Sequence, residues 1–247
     1  MDFTNKTAVV TGASRGIGAA IAEKLAADGY AVAVNYNSSE KAAEEVCRRI
    51  NLSGGVAMPF RCDVSKRAEV ENMFAVVRRE LGTVSVLVNN AGIAEQCLFT
   101  DITEHMWDRL FDVNVKGAFN CSQAAAKEMI SSKSGNIVNI SSMWGQVGAS
   151  CEVHYSAAKA ALIGFTKALA KELGPSGIRV NCIAPGLIST EMNSHLDEDT
   201  INALVDETPL SRIGTAEDIA NAVSFVVSEN ASFITGDVLS VNGGMVI

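Results

Sequence analysis

Short runs of β-branched and small apolar residues alternate along the chain with longer stretches of helical period, and this alternation constrains the fold more than any other feature. Residues 7–10, 31–34, 57–61, 84–88, 136–140, 179–184 and 238–241 read as seven strands, with helices expected at 16–27, 40–50, 66–81, 107–131, 153–173 and 216–227. Several strands carry no polar interruption, so both faces of their sheet must be covered. The expected class is therefore α/β, a doubly wound seven-stranded parallel sheet with helices on both faces. No Pro-, Gly- or Ser-rich linker divides the chain, so residues 1–247 are expected to form a single domain. The one long stretch without a clear period is 187–210, following the sixth strand. Parallel sheets bind ligands beyond the carboxyl ends of their strands, so this stretch is expected to be a flexible substrate lid.

Composition narrows the partners. With 20 Lys and Arg against 28 Asp and Glu the net charge is −8, which repels nucleic acid and anionic lipid surfaces. No run reaches the ~20 apolar residues that span a bilayer, and Met1 to Lys6 lack a basic lead into an apolar core. The six cysteines form no C-x-x-C pair, so no metal site and no disulfide framework is expected, only free thiols in a reducing cytoplasm.

After the first strand comes Thr11-Gly12-Ala13-Ser14-Arg15-Gly16-Ile17-Gly18, leading into a helix. Glycines at 12, 16 and 18 permit a tight turn and close approach of the backbone to a pyrophosphate at the helix N-terminus, which points to a dinucleotide. An acid at the end of the second strand usually holds a free ribose 2′-hydroxyl, but here Val34 is followed by Asn35-Tyr36-Asn37-Ser38-Ser39. Arg15 can instead face a 2′-phosphate, so NADP(H) is the expected cofactor. Tyr155 and Lys159, four apart on a helix, share one face. An ammonium beside the phenol is expected to favour the phenolate and make Tyr155 a usable acid at neutral pH.

The motif at 11–18, Asn89-Asn90-Ala91-Gly92, Asn114, Ser142, Tyr155-x-x-x-Lys159 and Pro185-Gly186 stand in the order and spacing of the short-chain dehydrogenase/reductase family, and the chain resembles that family over essentially its whole length. The resemblance implies a Rossmann fold and a catalytic group of Asn114, Ser142, Tyr155 and Lys159. In it Tyr155 donates a proton to a carbonyl undergoing hydride reduction, Ser142 rather than its neighbour Ser141 orients that carbonyl, and Asn114 holds a water linking Lys159 to solvent. It implies cofactor contacts from Gly12, Ser14, Arg15, Gly16, Ile17, Gly18, Asn35, Asp63, Val64, Asn90, Ala91, Gly92, Tyr155, Lys159, Pro185, Gly186, Ile188 and Thr190. It also implies a homotetramer built on the helices at 107–131 and 153–173 and on the last strand.

The stretch from Pro209 through Gly244 resembles the branch containing the bacterial 3-oxoacyl-acyl-carrier-protein reductases of fatty acid synthesis. Such reductases usually carry basic residues before the fifth strand, where this chain has Lys133 alone and Pro175-Ser176-Gly177 nearby. The segment Ser142 to Tyr155 is similar instead to an enzyme that reduces a 5-aminopentanone group on a lysine of elongation factor P. In that reading Ser142, Trp144, Glu152 and Tyr155 meet the substrate, and Glu152 holds its ammonium. A dinucleotide-sensing regulator that has lost catalysis would show a broken tetrad, and this one is intact.

Overall fold

The computed structural model describes residues 6–191 and 197–247. Seven parallel strands, β1 (Thr7–Val10), β2 (Ala31–Tyr36), β3 (Val56–Arg61), β4 (Val84–Asn89), β5 (Gly135–Ile140), β6 (Ile178–Pro185) and β7 (Val238–Val241), lie in the order β3-β2-β1-β4-β5-β6-β7. The chain winds outward in both directions from β1 and β4, whose following loops diverge and open a crevice at the strands' carboxyl ends.

The period-2 alternation of the strands sorts the core into two layers. Val10, Val34 and Val88 point to one face, where α1 (Gly16–Ala27), α2 (Glu40–Leu52) and α9 (Ala216–Val227) cover them. Val9, Ala33 and Leu87 point to the other, beneath α3 (Arg67–Glu80), α5 (Gly117–Ser132) and α7 (Val153–Leu173). Burial of side chains such as Leu87, Ile137 and Ile183, all fully enclosed, contributes about 1.5–3 kcal/mol each. Helix ends are set by local chemistry: Thr215 and Asp218 form a reciprocal capping box at the start of α9.

Two expectations change. The helix expected at 107–131 begins earlier, at α4 (Glu104–Phe111), capped by the Thr103 hydroxyl, and reaches α5 only through a π-helical turn, Asp112–Lys116. Hydrophobic period alone does not register such a turn, because one wide turn shifts the apolar face without interrupting it. The stretch 187–210 holds a helix, α8 (Glu198–Asp206), capped by the Asp197 carboxylate accepting from the Thr200 N–H at 2.8 Å. Its base is tied by a parallel bridge between Ile188 and Gly214; residues 192–196 of the expected lid lie outside the described residues.

Candidate active site

The Gly-rich turn between β1 and α1 is braced from both sides. Gly12 has φ +61°, and a Cβ there would lie 2.8 Å from the Cα of Ala91, so the position excludes any side chain. From β4, the Asn90 amide donates to the carbonyls of Thr11 (2.9 Å) and Gly12 (3.1 Å), while the Thr11 hydroxyl accepts from the N–H groups of Asn90 and Ala91. From β2, the buried Asn35 accepts from the Gly12 N–H at 3.2 Å and donates to the carbonyls of Phe60 and Cys62. Helix α1 begins beneath this turn with no side-chain cap and no acid in its first turn, so its free N–H groups and positive dipole end face the crevice.

Two cavities meet there. The first, about 750 Å³, is lined by Gly12, Ser14, Arg15, Gly16, Ile17 and Gly18 of the turn, by Asn35 on β2, by Asp63 and Val64 after β3, and by Asn90, Ala91 and Gly92 after β4. The second, about 600 Å³, is lined by Ser142, Trp144, Glu152, Tyr155 and Lys159, and by Pro185, Gly186 and Ile188 at and beyond the end of β6. Ile17, Asn90, Gly92 and Thr190 border both. Asn114, buried in the π turn, stands behind Gly92: its side chain exchanges two hydrogen bonds with the backbone of Ile93. A Cβ on Gly92 would lie 3.2 Å from Asn114 Oδ1 and 3.5 Å from Lys159 Nζ.

The two serines after β5 have different partners. Ser141 Oγ donates to the carbonyl of Lys159 at 2.8 Å, whereas Ser142 Oγ accepts from the Trp144 N–H at 3.2 Å. Lys159 Nζ, buried, donates to the Ile140 carbonyl at 2.8 Å and lies 5.6 Å from the centre of the Tyr155 ring. Burial pulls its ammonium down to about 8. Burial, reinforced by the Glu152 carboxylate, pushes the Tyr155 phenol up to about 12, against a smaller opposite pull from Ser142. The expected lowering of Tyr155 by its lysine is thus reversed in this structure, because desolvation and the Glu152 carboxylate dominate while the ammonium is held against Ile140.

Arg15 stands at the rim of the first cavity, where its guanidinium donates to Glu191 Oε2 at 2.9 Å and to the Ser39 hydroxyl. Glu152 accepts from the Gln96 amide at 3.3 Å and makes no ion pair among the described residues.

A family model described as enoyl-(acyl carrier protein) reductase matches residues 12–246. Over 241 residues, 98% of this chain and 99% of the relative, the sequence is 44% identical to the 3-oxoacyl-acyl-carrier-protein reductase FabG of Staphylococcus epidermidis. It is 44% identical over 240 residues to the Staphylococcus aureus N315 protein of that name, covering 97% and 98% of the two chains. For the Escherichia coli K12 protein the identity is 41% over 245 residues and 99% of both. The chain belongs to the short-chain dehydrogenase/reductase family.

A short-chain dehydrogenase/reductase is an oxidoreductase of CH–OH and C=O groups that takes a nicotinamide cofactor, and the first cavity fits one. The Cβ-free turn at Gly12 and the uncapped N-terminus of α1 form a cradle for a pyrophosphate, and the junction at Gly92 and Thr190 leads from it to Tyr155. Thr11 heads the Gly-rich motif, but sequence reasoning gave it no role of its own; it bonds three main-chain groups of β4 and its loop. Sequence reasoning missed Ser39, Glu191 and Gln96 altogether, since each acts across a loop pairing that no local pattern encodes. Asn35 borders the cavity, but its amide is spent on the backbone. Among the described residues no cluster of His, Cys, Asp and Glu could hold a metal ion, and no helix is long and apolar enough to cross a membrane.

Proposed function

We propose that this chain reduces the 3-oxo group of acyl chains borne by an acyl carrier protein, with NADPH as reductant, as a cytoplasmic enzyme of fatty acid biosynthesis. The observation that carries this reading is the meeting of Ser142, Tyr155 and Lys159 on a cavity continuous with the dinucleotide cradle, in a chain 41–44% identical over nearly its whole length to proteins bearing that name. The preference for NADPH is supported by Arg15 at the rim beside Ser39 and by the absence of an acid between Val34 and Glu40.

A nicotinamide cofactor held in the cradle of Gly12, Gly16 and the α1 N-terminus would supply a hydride for the carbonyl carbon. Ser142 Oγ donates a hydrogen bond to the carbonyl oxygen and orients it. The high value of Tyr155 keeps its phenol protonated at neutral pH, so Tyr155 Oη has a proton to give as charge develops on that oxygen. Lys159, near its midpoint at about 8, offers an ammonium to the nascent phenolate and returns the proton. Asn114, behind Gly92, holds a water that links that lysine to solvent. Helix α8, whose Thr200 and Leu204 border the second cavity, closes over the acyl chain as a lid. The active assembly is a homotetramer built on α4, α5, α7 and β7, which the exposed Trp107, Phe119 and Val153 on those helices support.

A second reading is favoured by Glu152, a carboxylate bordering the ketone cavity whose side-chain hydrogen bond comes from a neutral amide. Such a group would hold the ammonium of the aminopentanone on elongation factor P. The two are separated by NADPH oxidation assays on an acetoacetyl thioester and on aminopentanonylated elongation factor P, each with wild type, Tyr155→Phe and Glu152→Gln. The expected outcome is turnover of the thioester that falls roughly 10³-fold in Tyr155→Phe and stays unchanged in Glu152→Gln. Turnover of the amino-ketone alone, lost in Glu152→Gln, would replace the first reading by the second.

A further inference from the structure

Four of the six cysteines, Cys47, Cys62, Cys121 and Cys182, are buried in the core. The other two, Cys97 and Cys151, are partly exposed, and although far apart in sequence they meet: the Cys97 N–H donates to the Cys151 carbonyl at 2.8 Å. The next residues repeat the contact, Gln96 Nε2 donating to Glu152 Oε1 at 3.3 Å. These two rungs join the loop after β4 to the loop before α7, and Gln96 and Glu152 line the wall of the cavity that holds Tyr155. One N–H···O bond of this length keeps two Cα atoms within the roughly 4.4–6.8 Å that a disulfide spans. Cys151 is also among the groups that push the Cys97 thiol up, after burial and the carboxylates of Asp101 and Glu95. Cys151 occupies the left-handed region, φ +61°, a strained conformation for a residue with a side chain.

We propose that Cys97 and Cys151 form a reversible disulfide that clamps the substrate-side loops together, with a low-molecular-weight disulfide as oxidant. One protein thiolate attacks a sulfur of the oxidant and expels the first small thiolate. The second protein thiolate then attacks the mixed disulfide, forming the Cys97–Cys151 bond and expelling the second small thiolate. Two electrons pass from the protein thiols to the oxidant, which leaves as two thiols with the two protons. The clamp fixes the wall at Gln96 and Glu152, raising KM for the ketone while leaving the cofactor cradle, which contains neither cysteine, unaffected.

The purified full-length protein is incubated with oxidised glutathione, alkylated, and digested without reduction, in parallel with Cys97→Ser and Cys151→Ser. A peptide pair linking Cys97 to Cys151, removed by dithiothreitol and absent from both variants, is the expected result. The oxidised wild type should show a several-fold higher KM for an acetoacetyl thioester, unchanged NADPH binding, and recovery on reduction. Glutathione adducts with no linked pair would overturn the disulfide, and a linked pair with unchanged KM would overturn the clamp. If the reduced enzyme does not turn over the thioester, the ketone assignment fails; the linked pair still decides the disulfide, and the clamp is then judged by whether oxidation slows exchange of the Gln96 and Glu152 amide hydrogens.

Discussion

Lys159 is buried, and the cost of that burial sets up an opposition between stability and activity. Its ammonium titrates at about 8 in the folded protein against an ordinary value of 10.5. At pH 7 both folded and unfolded chains hold the proton, and the folded state bears the full cost of the enclosed charge. Between pH 8 and about 10.5 the folded lysine is neutral while the unfolded one remains protonated, so the unfolded chain binds more protons and stability rises with pH. Lys159→Met is therefore expected to abolish turnover yet stabilise the fold at pH 7 by about 2 kcal/mol, after allowing for the lost hydrogen bond to Ile140. Urea melts at pH 7 and pH 10 check this, and the gain should shrink at the higher pH. At the rim, Arg15→Ala should lower kcat/KM for NADPH at least tenfold and leave that for NADH nearly unchanged, as expected for a charge-assisted contact to a 2′-phosphate. A wild type that prefers NADH would refute that role.

The end of β2 works as part of an element rather than as a ligand. Asn35 ties β2 to the Gly-rich turn and to the carbonyls of Phe60 and Cys62 on and just after β3, so a change there acts on three segments at once. In sequence terms an acid at this place looks like a switch toward NADH. Asn35→Asp is instead expected to aim a carboxylate at two carbonyl oxygens, cost about 2–4 kcal/mol in urea melts, and weaken both cofactors without inverting their order. A clean inversion of the NADPH to NADH ratio at unchanged stability would show that Asn35 faces the ribose. The π turn at Asp112–Lys116 is an element of the same kind: its one wide turn seats Asn114 against Ile93, behind Gly92, which Lys159 also adjoins.

For the whole molecule, the doubly wound sheet leaves several large apolar side chains outside the two core layers. Trp107, Phe119 and Ile130 project from α4 and α5, Val153 from the start of α7, and Phe233 and Ile247 flank β7. Exposure of this kind near helices proposed to meet other subunits suits assembly. Light scattering at micromolar concentration is expected to give the mass of four chains, and Phe119→Glu to lower it; a monomeric mass for the wild type would count against the homotetramer.

The βα alternation, the glycines at 12, 16 and 18 and the spacing of Tyr155 and Lys159 were legible in the chain itself, because each depends on periodicity or on a few adjacent residues. Strand edges shifted by only a residue or two, and the residues read as site-forming border two joined cavities, with Asn114 just behind them. What only the folded molecule decided depends on which groups meet across loops from different strands and lose water there. That meeting ties the Ser141 hydroxyl to the backbone of α7 while that of Ser142 meets the Trp144 N–H, spends the amide of Asn35 on main-chain carbonyls, and sets Cys97 beside Cys151. Desolvation then raises Tyr155 and lowers Lys159, opposite to what their proximity along one helix implied for the tyrosine, because burial is a property of the whole fold and not of a spacing.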